Sequence, residues 1–173
     1  VFYLGGSHLD LIWLANKAAL AQTGGMGEDW NSAMNLFAEQ YGFNPDTDLF
    51  PYLDGEWGLA IMPAEDGILA QQMRIPMGAL LAADTSAPDQ LAGVMDRFTG
   101  SLQSMGAPVE DVIVGDATLK QISDPMMGPM LTFGLSDSRL VIASSSGVVG
   151  RLTEDQETLA KSAPYREAVK ALP

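Results

Sequence analysis

The sequence predicts an α+β fold, a mainly antiparallel sheet covered by helices on one face, with residues 1–173 forming a single domain. Three observations carry this. Leu131, Phe133 and Leu135 alternate with Thr132 and Gly134, the period of a strand with one buried face, and Leu140 to Ala143 resume as a second, more apolar strand after Ser136-Asp137-Ser138. Trp30, Met34, Phe37 and Tyr41 fall at i, i+4, i+7 and i+11, one apolar helical face. Strand-like and helix-like segments also come in blocks rather than in strict alternation, which disfavours a doubly wound parallel sheet.

The elements follow in chain order. Val1 to Leu4 is a short β-prone run that Gly5-Gly6 ends, and Ser7 reads as the N-cap of a helix from Leu9 to about Gln22. That helix carries Leu9, Leu11, Ile12, Trp13, Leu14 and Leu20 on most of its sides, so it is expected to be buried or to meet another part of the protein. The Gly-rich stretch Thr23 to Gly27 precedes a second helix, from about Glu28 to Tyr41, which Gly42 closes. Asn44 to Asp48 is turn chemistry, and Gly55 to Met62 is a strand with Trp57, Leu59 and Ile61 on one face.

Ile68 to Met77 is ambiguous, a loop with a weak strand, and Gly78 to Ala83 is a compact apolar strand. Ser86-Ala87-Pro88-Asp89 starts a helix, with Ser as N-cap and Pro in the first turn; Leu91, Val94, Met95, Phe98 and Leu102 keep helical spacing until Gly106. Val112–Val114 and Ala117–Ile122 flank Gly115-Asp116 as a hairpin, and Asp124 to Pro129 reads as a loop before the central hairpin. Ser145 or Ser146 caps a short helix through Leu152, and Ser162-Ala163-Pro164 starts a last one holding Tyr165, Val169 and Leu172.

Composition narrows function by exclusion. The 173 residues carry a formal net charge of −13, which argues against nucleic acid and against anionic membrane surfaces as partners. There is no cysteine, so thiol catalysis and cysteine-ligated metal centres are out. No apolar run is long enough for a membrane span within the chain. The start at Val1 without a charged leader reads as a piece of a longer polypeptide.

Four stretches resemble a bacterial family, domain of unknown function 3352: Asp46 to Ala60 (DTDLFPYLDGEWGLA), Gly78 to Leu91, Gly134 to Ser145 (GLSDSRLVIASS) and Leu159 to Tyr165. Members of that family resemble exported or membrane-anchored proteins. The resemblance therefore implies an extracytoplasmic setting, with anchoring through a segment outside this chain. It brings no catalytic residues.

Candidate chemistry is sparse. Ser7, His8 and Asp10 hold the one histidine, but residues within one helical start do not converge as a triad. Asn44, Asp46 and Asp48 alternate like the start of a calcium loop, yet the sixth and twelfth positions are Leu49 and Gly55 instead of Gly and Glu. Asp46, Asp48, Asp54 and Glu56 remain as an oxygen-ligand candidate. Met73, Met77, Met126, Met127 and Met130 form a methionine-rich set, suited less to copper than to apolar ligands or peptides. The paired acids Glu28/Asp29, Glu65/Asp66, Glu110/Asp111 and Glu154/Asp155 are expected to point to solvent rather than to face each other across a cleft, and Gly24-Gly25-Met26-Gly27 lacks the lysine of a phosphate cradle.

The expectation is a non-enzymatic extracytoplasmic binding or scaffolding domain with no cofactor. A carrier or sensor for an apolar ligand, held between the sheet and the first helix, is the alternative. A hydrolase is third.

Overall fold

A computed structural model of the chain describes residues 2–22, 26–67, 69–70, 74–126 and 128–153. Met73, Met127, Thr23 to Gly25 and the Ser162-Ala163-Pro164 helix lie outside the described residues.

Seven strands form one sheet: β1 (Phe2–Ser7), β2 (Glu56–Pro63), β3 (Met77–Asp84), β4 (Val109–Val114), β5 (Ala117–Asp124), β6 (Gly128–Ser136) and β7 (Arg139–Ala143). Their order is β1-β2-β3-β7-β6-β5-β4, and every neighbouring pair is antiparallel. The helices whose bounds lie among the described residues are α1 (Leu9–Ala21), α2 (Met26–Tyr41), α3 (Pro88–Ser104) and α4 (Ser146–Thr153). α3 carries the chain from β3 to the far edge at β4. The meander β4-β5-β6-β7 then walks back until β7 meets β3, so the most apolar strand of the predicted hairpin is the middle strand of the sheet.

β7 shows how the two faces divide. Leu140 and Ile142 point to a core shared with Leu53, Leu91, Met95, Leu102 and Phe133, under α1 to α3. Val141 and Ala143 point the other way, against Ala60, Met62, Leu80, Val148 and Val149. Helical cover is therefore not confined to one face, as the sequence reading had it. α4 takes the second face because Ser145 caps it, its Oγ accepting from Val148 N at 3.2 Å, and the cap aims Val148 and Val149 back at the sheet.

Local differences have simple causes. β1 runs on through Gly5 and Gly6 to Ser7, because both glycines lie against Trp57 and pairing continues to Ser7 opposite Glu56. With Ser7 in the sheet, His8 becomes the N-cap of α1 in the left-handed region (φ 58°), with no side-chain cap. Ser86 does not cap α3 either. Ala87 does, while both Ser86 groups donate to Asp54 and Thr85 Oγ1 accepts from Ala87 N. Asn44 to Tyr52 is more ordered than a plain turn: a π-turn (Pro45–Leu49) is followed by a 3-10 turn (Phe50–Tyr52). Asp124 to Pro129 is partly strand, since β6 begins at Gly128. No residue of α1 is buried; Leu11, Ile12 and Leu14 of α1 are exposed, as are Phe2, Tyr3 and Leu4 of β1.

Gly78 of β3 lies under α4. A Cβ there would clash with Val148 Cγ2 and sit 3.0 Å from Ala64 Cβ, whereas one at Gly58 of β2 would meet nothing within 4 Å. Gly78→Ala is expected to lower stability by about 1–3 kcal/mol through overpacking. Gly58→Ala is expected to be neutral or stabilising by less than about 1 kcal/mol. Urea midpoints of the two variants make the comparison.

Candidate functional site

Between the sheet and the helical layer lies a cavity of about 330 Å³. Trp13 of α1, Met34 and Phe37 of α2, and Met95 and Phe98 of α3 form its roof and sides. Leu131, Phe133 and Ile142 form its floor, and Phe43, Pro45, Leu49 and Phe50 close it along the connection after α2. The α2 and α3 positions are those the helical spacing sets on one face, and the floor positions are those the strand alternation sets on one face.

Aromatic contacts frame the space. Trp13 stacks on Phe50 with centroids 3.5 Å apart and planes at 11°, and meets Trp30 edge-on at 5.2 Å. Phe98 links the helices to the floor, 5.5 Å from Tyr41, 5.6 Å from Phe43 and 5.0 Å from Phe133. Such pairs each contribute about 0.5–1.5 kcal/mol beyond area burial.

One carboxylate holds the frame. Asp46, its side chain 5% exposed, accepts from Trp13 Nε1 at 2.8 Å, Lys17 Nζ at 2.6 Å and Trp30 Nε1 at 3.4 Å. The π-turn presents it: Asn44 Oδ1 accepts from Asp46 N, and Asp48 Oδ2 accepts from Asn44 N, both at 2.9 Å. Burial pushes the Asp46 carboxyl up. The Lys17 ammonium and the Trp13 and Trp30 indoles outweigh it, and the net position is below the ordinary aspartate value of 3.8.

The four acids of the calcium reading are held by separate partners. Asp46 is neutralised by Lys17, and Asp48 is engaged with Asn44, Thr47 and, at 3.9 Å, Arg97. Asp54 accepts from Ser86 Oγ at 2.6 Å and from Ser86 N at 3.0 Å, which lowers its pKa. Glu56 is exposed and lends its charge to Arg139, which forms a two-pronged pair with Asp84. Among the described residues no three His, Asp or Glu side chains come together as a metal site. The geometry thus does not join Asp46, Asp48, Asp54 and Glu56.

Of the methionine set, Met77, Met126 and Met130 are described: Met126 is 94% exposed at the β5–β6 turn, Met77 is half-buried at the start of β3, and Met130 lines an apolar hollow with Leu59 and Leu81 that shares Leu131 and Ile142 with the cavity. The methionines at the cavity are Met34 and Met95, which the sequence reading placed on helical faces without marking as a site. Trp13, Phe43 and Phe98 were missed as site residues too. The available signal was the apolar face shared by α2 and α3. His8 is exposed, with Nδ1 3.6 Å from Asp10 Oδ1, and Ser7 lies in β1.

Asp46→Asn keeps an acceptor for Trp13 but leaves Lys17 without its anion. The variant is expected to be about 1–3 kcal/mol less stable at neutral pH, from loss of a charge-assisted hydrogen bond. Because the folded carboxyl titrates below 3.8, its contribution is complete above that value and fades as pH falls through the lowered one. The gap between wild type and variant in urea unfolding, followed by tryptophan fluorescence, should therefore be widest near neutrality and close in acid.

No curated protein and no solved structure matches the chain. The family described as protein of unknown function (DUF3352) matches residues 1–173, its full length, and the chain belongs to that family.

Proposed function

We propose that this chain is a non-enzymatic, extracytoplasmic binding domain that takes up an apolar ligand between its sheet and its helical layer. The cavity carries the reading. Its volume of about 330 Å³ is roughly twice that of an engineered apolar cavity that holds benzene, so a bicyclic ring system or a medium-length hydrocarbon chain is the right size. Among the described residues its lining offers dispersion contacts and no reactive group, which suits retention rather than turnover. The extracytoplasmic setting, with tethering through a segment outside this chain, is supported by the likeness of the family to exported and membrane-anchored proteins. The exposed apolar residues of β1 and α1 (Phe2, Leu4, Leu11 and Leu14) favour a scaffolding contact as a second role.

Titration with the uncharged dye N-phenylnaphthylamine tests the first role. Saturable fluorescence enhancement at one site per chain is expected. Met34→Trp, which places a larger ring in the cavity, should weaken the dye by about tenfold or more, a loss of about 1.4 kcal/mol. A linear, non-saturating titration of the wild type would remove the cavity from the account and leave the β1–α1 surface as the functional feature.

A further inference from the structure

We infer that the ligand of this cavity is electrically neutral, and that the site discriminates against anionic amphiphiles such as fatty-acid carboxylates. This rests on the ligand-binding reading above and adds the charge class of the ligand.

Among the described residues the lining supplies nothing for an anion to bind: Trp13 Nε1 is the one side-chain N–H or O–H there, and it already donates to Asp46 at 2.8 Å. A carboxylate drawn inside would lose its hydration without gaining a donor, and that loss is large for an ionised group. A carboxylate left at the mouth would find no cation offered by the adjoining wall, since Asp46, next to Pro45, is already paired with Lys17, and the chain as a whole carries −13. Among the described residues, the cations beside this region are engaged: Lys17 with Asp46 at 2.6 Å, and Arg97 with the Gly42 carbonyl at 3.1 Å and Asp48 at 3.9 Å. Carriers that select carboxylates need a free cation or a set of donors at the pocket. A hydrocarbon loses nothing here, and the uncharged polar group of an alcohol or ester loses far less on desolvation than an ionised carboxylate does.

Competition against bound N-phenylnaphthylamine decides it, with decanol, methyl decanoate and decanoate as competitors at neutral pH. Methyl decanoate and decanoate share a chain and differ in charge. The ester and the alcohol are expected to displace the dye at least about tenfold more tightly than decanoate, a difference of about 1.4 kcal/mol. A smaller preference would overturn the inference while leaving the ligand-binding reading intact. Failure of the dye itself to bind would instead overturn that reading. Met34→Lys, placing a cation on a flexible stem at the lining, should narrow the preference. An unchanged preference in a variant whose dye binding is retained would overturn its assignment to the missing cation.

Discussion

The arrangement depends on one buried carboxylate. Asp46 takes hydrogen bonds from two residues of α1 and one of α2, from a turn anchored in the core by Leu49 and Leu53. None of the residues of α1 is buried, and the Asp46 bonds act beside the Trp13 stack on Phe50, the packing of Leu9 on the core and the backbone bond from Asp10 N to the Leu53 carbonyl. An ammonium and two indole N–H groups satisfy the carboxylate, so its burial is offset. The directionality of these bonds fixes the plane of Trp13 over Phe50. That ring is one wall of the cavity, so a polar contact outside the apolar space sets the shape of the space within.

The sheet supplies the opposite constraint. β7 is buried on both faces and pairs with strands on both sides, so Leu140 and Ile142 cannot move toward the helices without breaking two ladders. α3 is fixed to the floor through Leu91, Val94 and Phe98. A void between two such rigid layers does not collapse easily. The space is partly open to solvent and exposes apolar surface there, which an apolar occupant would cover.

Much of the fold was legible because it was written in local periods. The β6–β7 hairpin, the two-residue turn at Gly115-Asp116, the α2 face and the Gly42 and Gly106 stops all follow from side-chain spacing or from a need for positive φ. Long-range pairing was less legible. Gly5 and Gly6 look like a strand terminator until Trp57 is known to lie across them. Ser86 looks like a cap until Asp54, far away in sequence, claims its hydroxyl. Asp46 and Asp48 look like cation ligands until Lys17 and Arg97 are found beside them. The cavity was legible in its parts only, as apolar faces on α2, α3 and β6. Spacing along a chain shows which faces are apolar, not whether three of them meet completely.

Xenon-pressurised crystals give the most direct measurement of whether the space between those faces is real and apolar. Xenon enters voids that are dry and lined by hydrocarbon. The account requires ordered xenon density bounded by Phe43, Phe98 and Leu131, with Trp13 still stacked on Phe50 and hydrogen-bonded to Asp46. Absence of xenon, with the Phe98 and Trp13 rings closed onto the sheet, would contradict it.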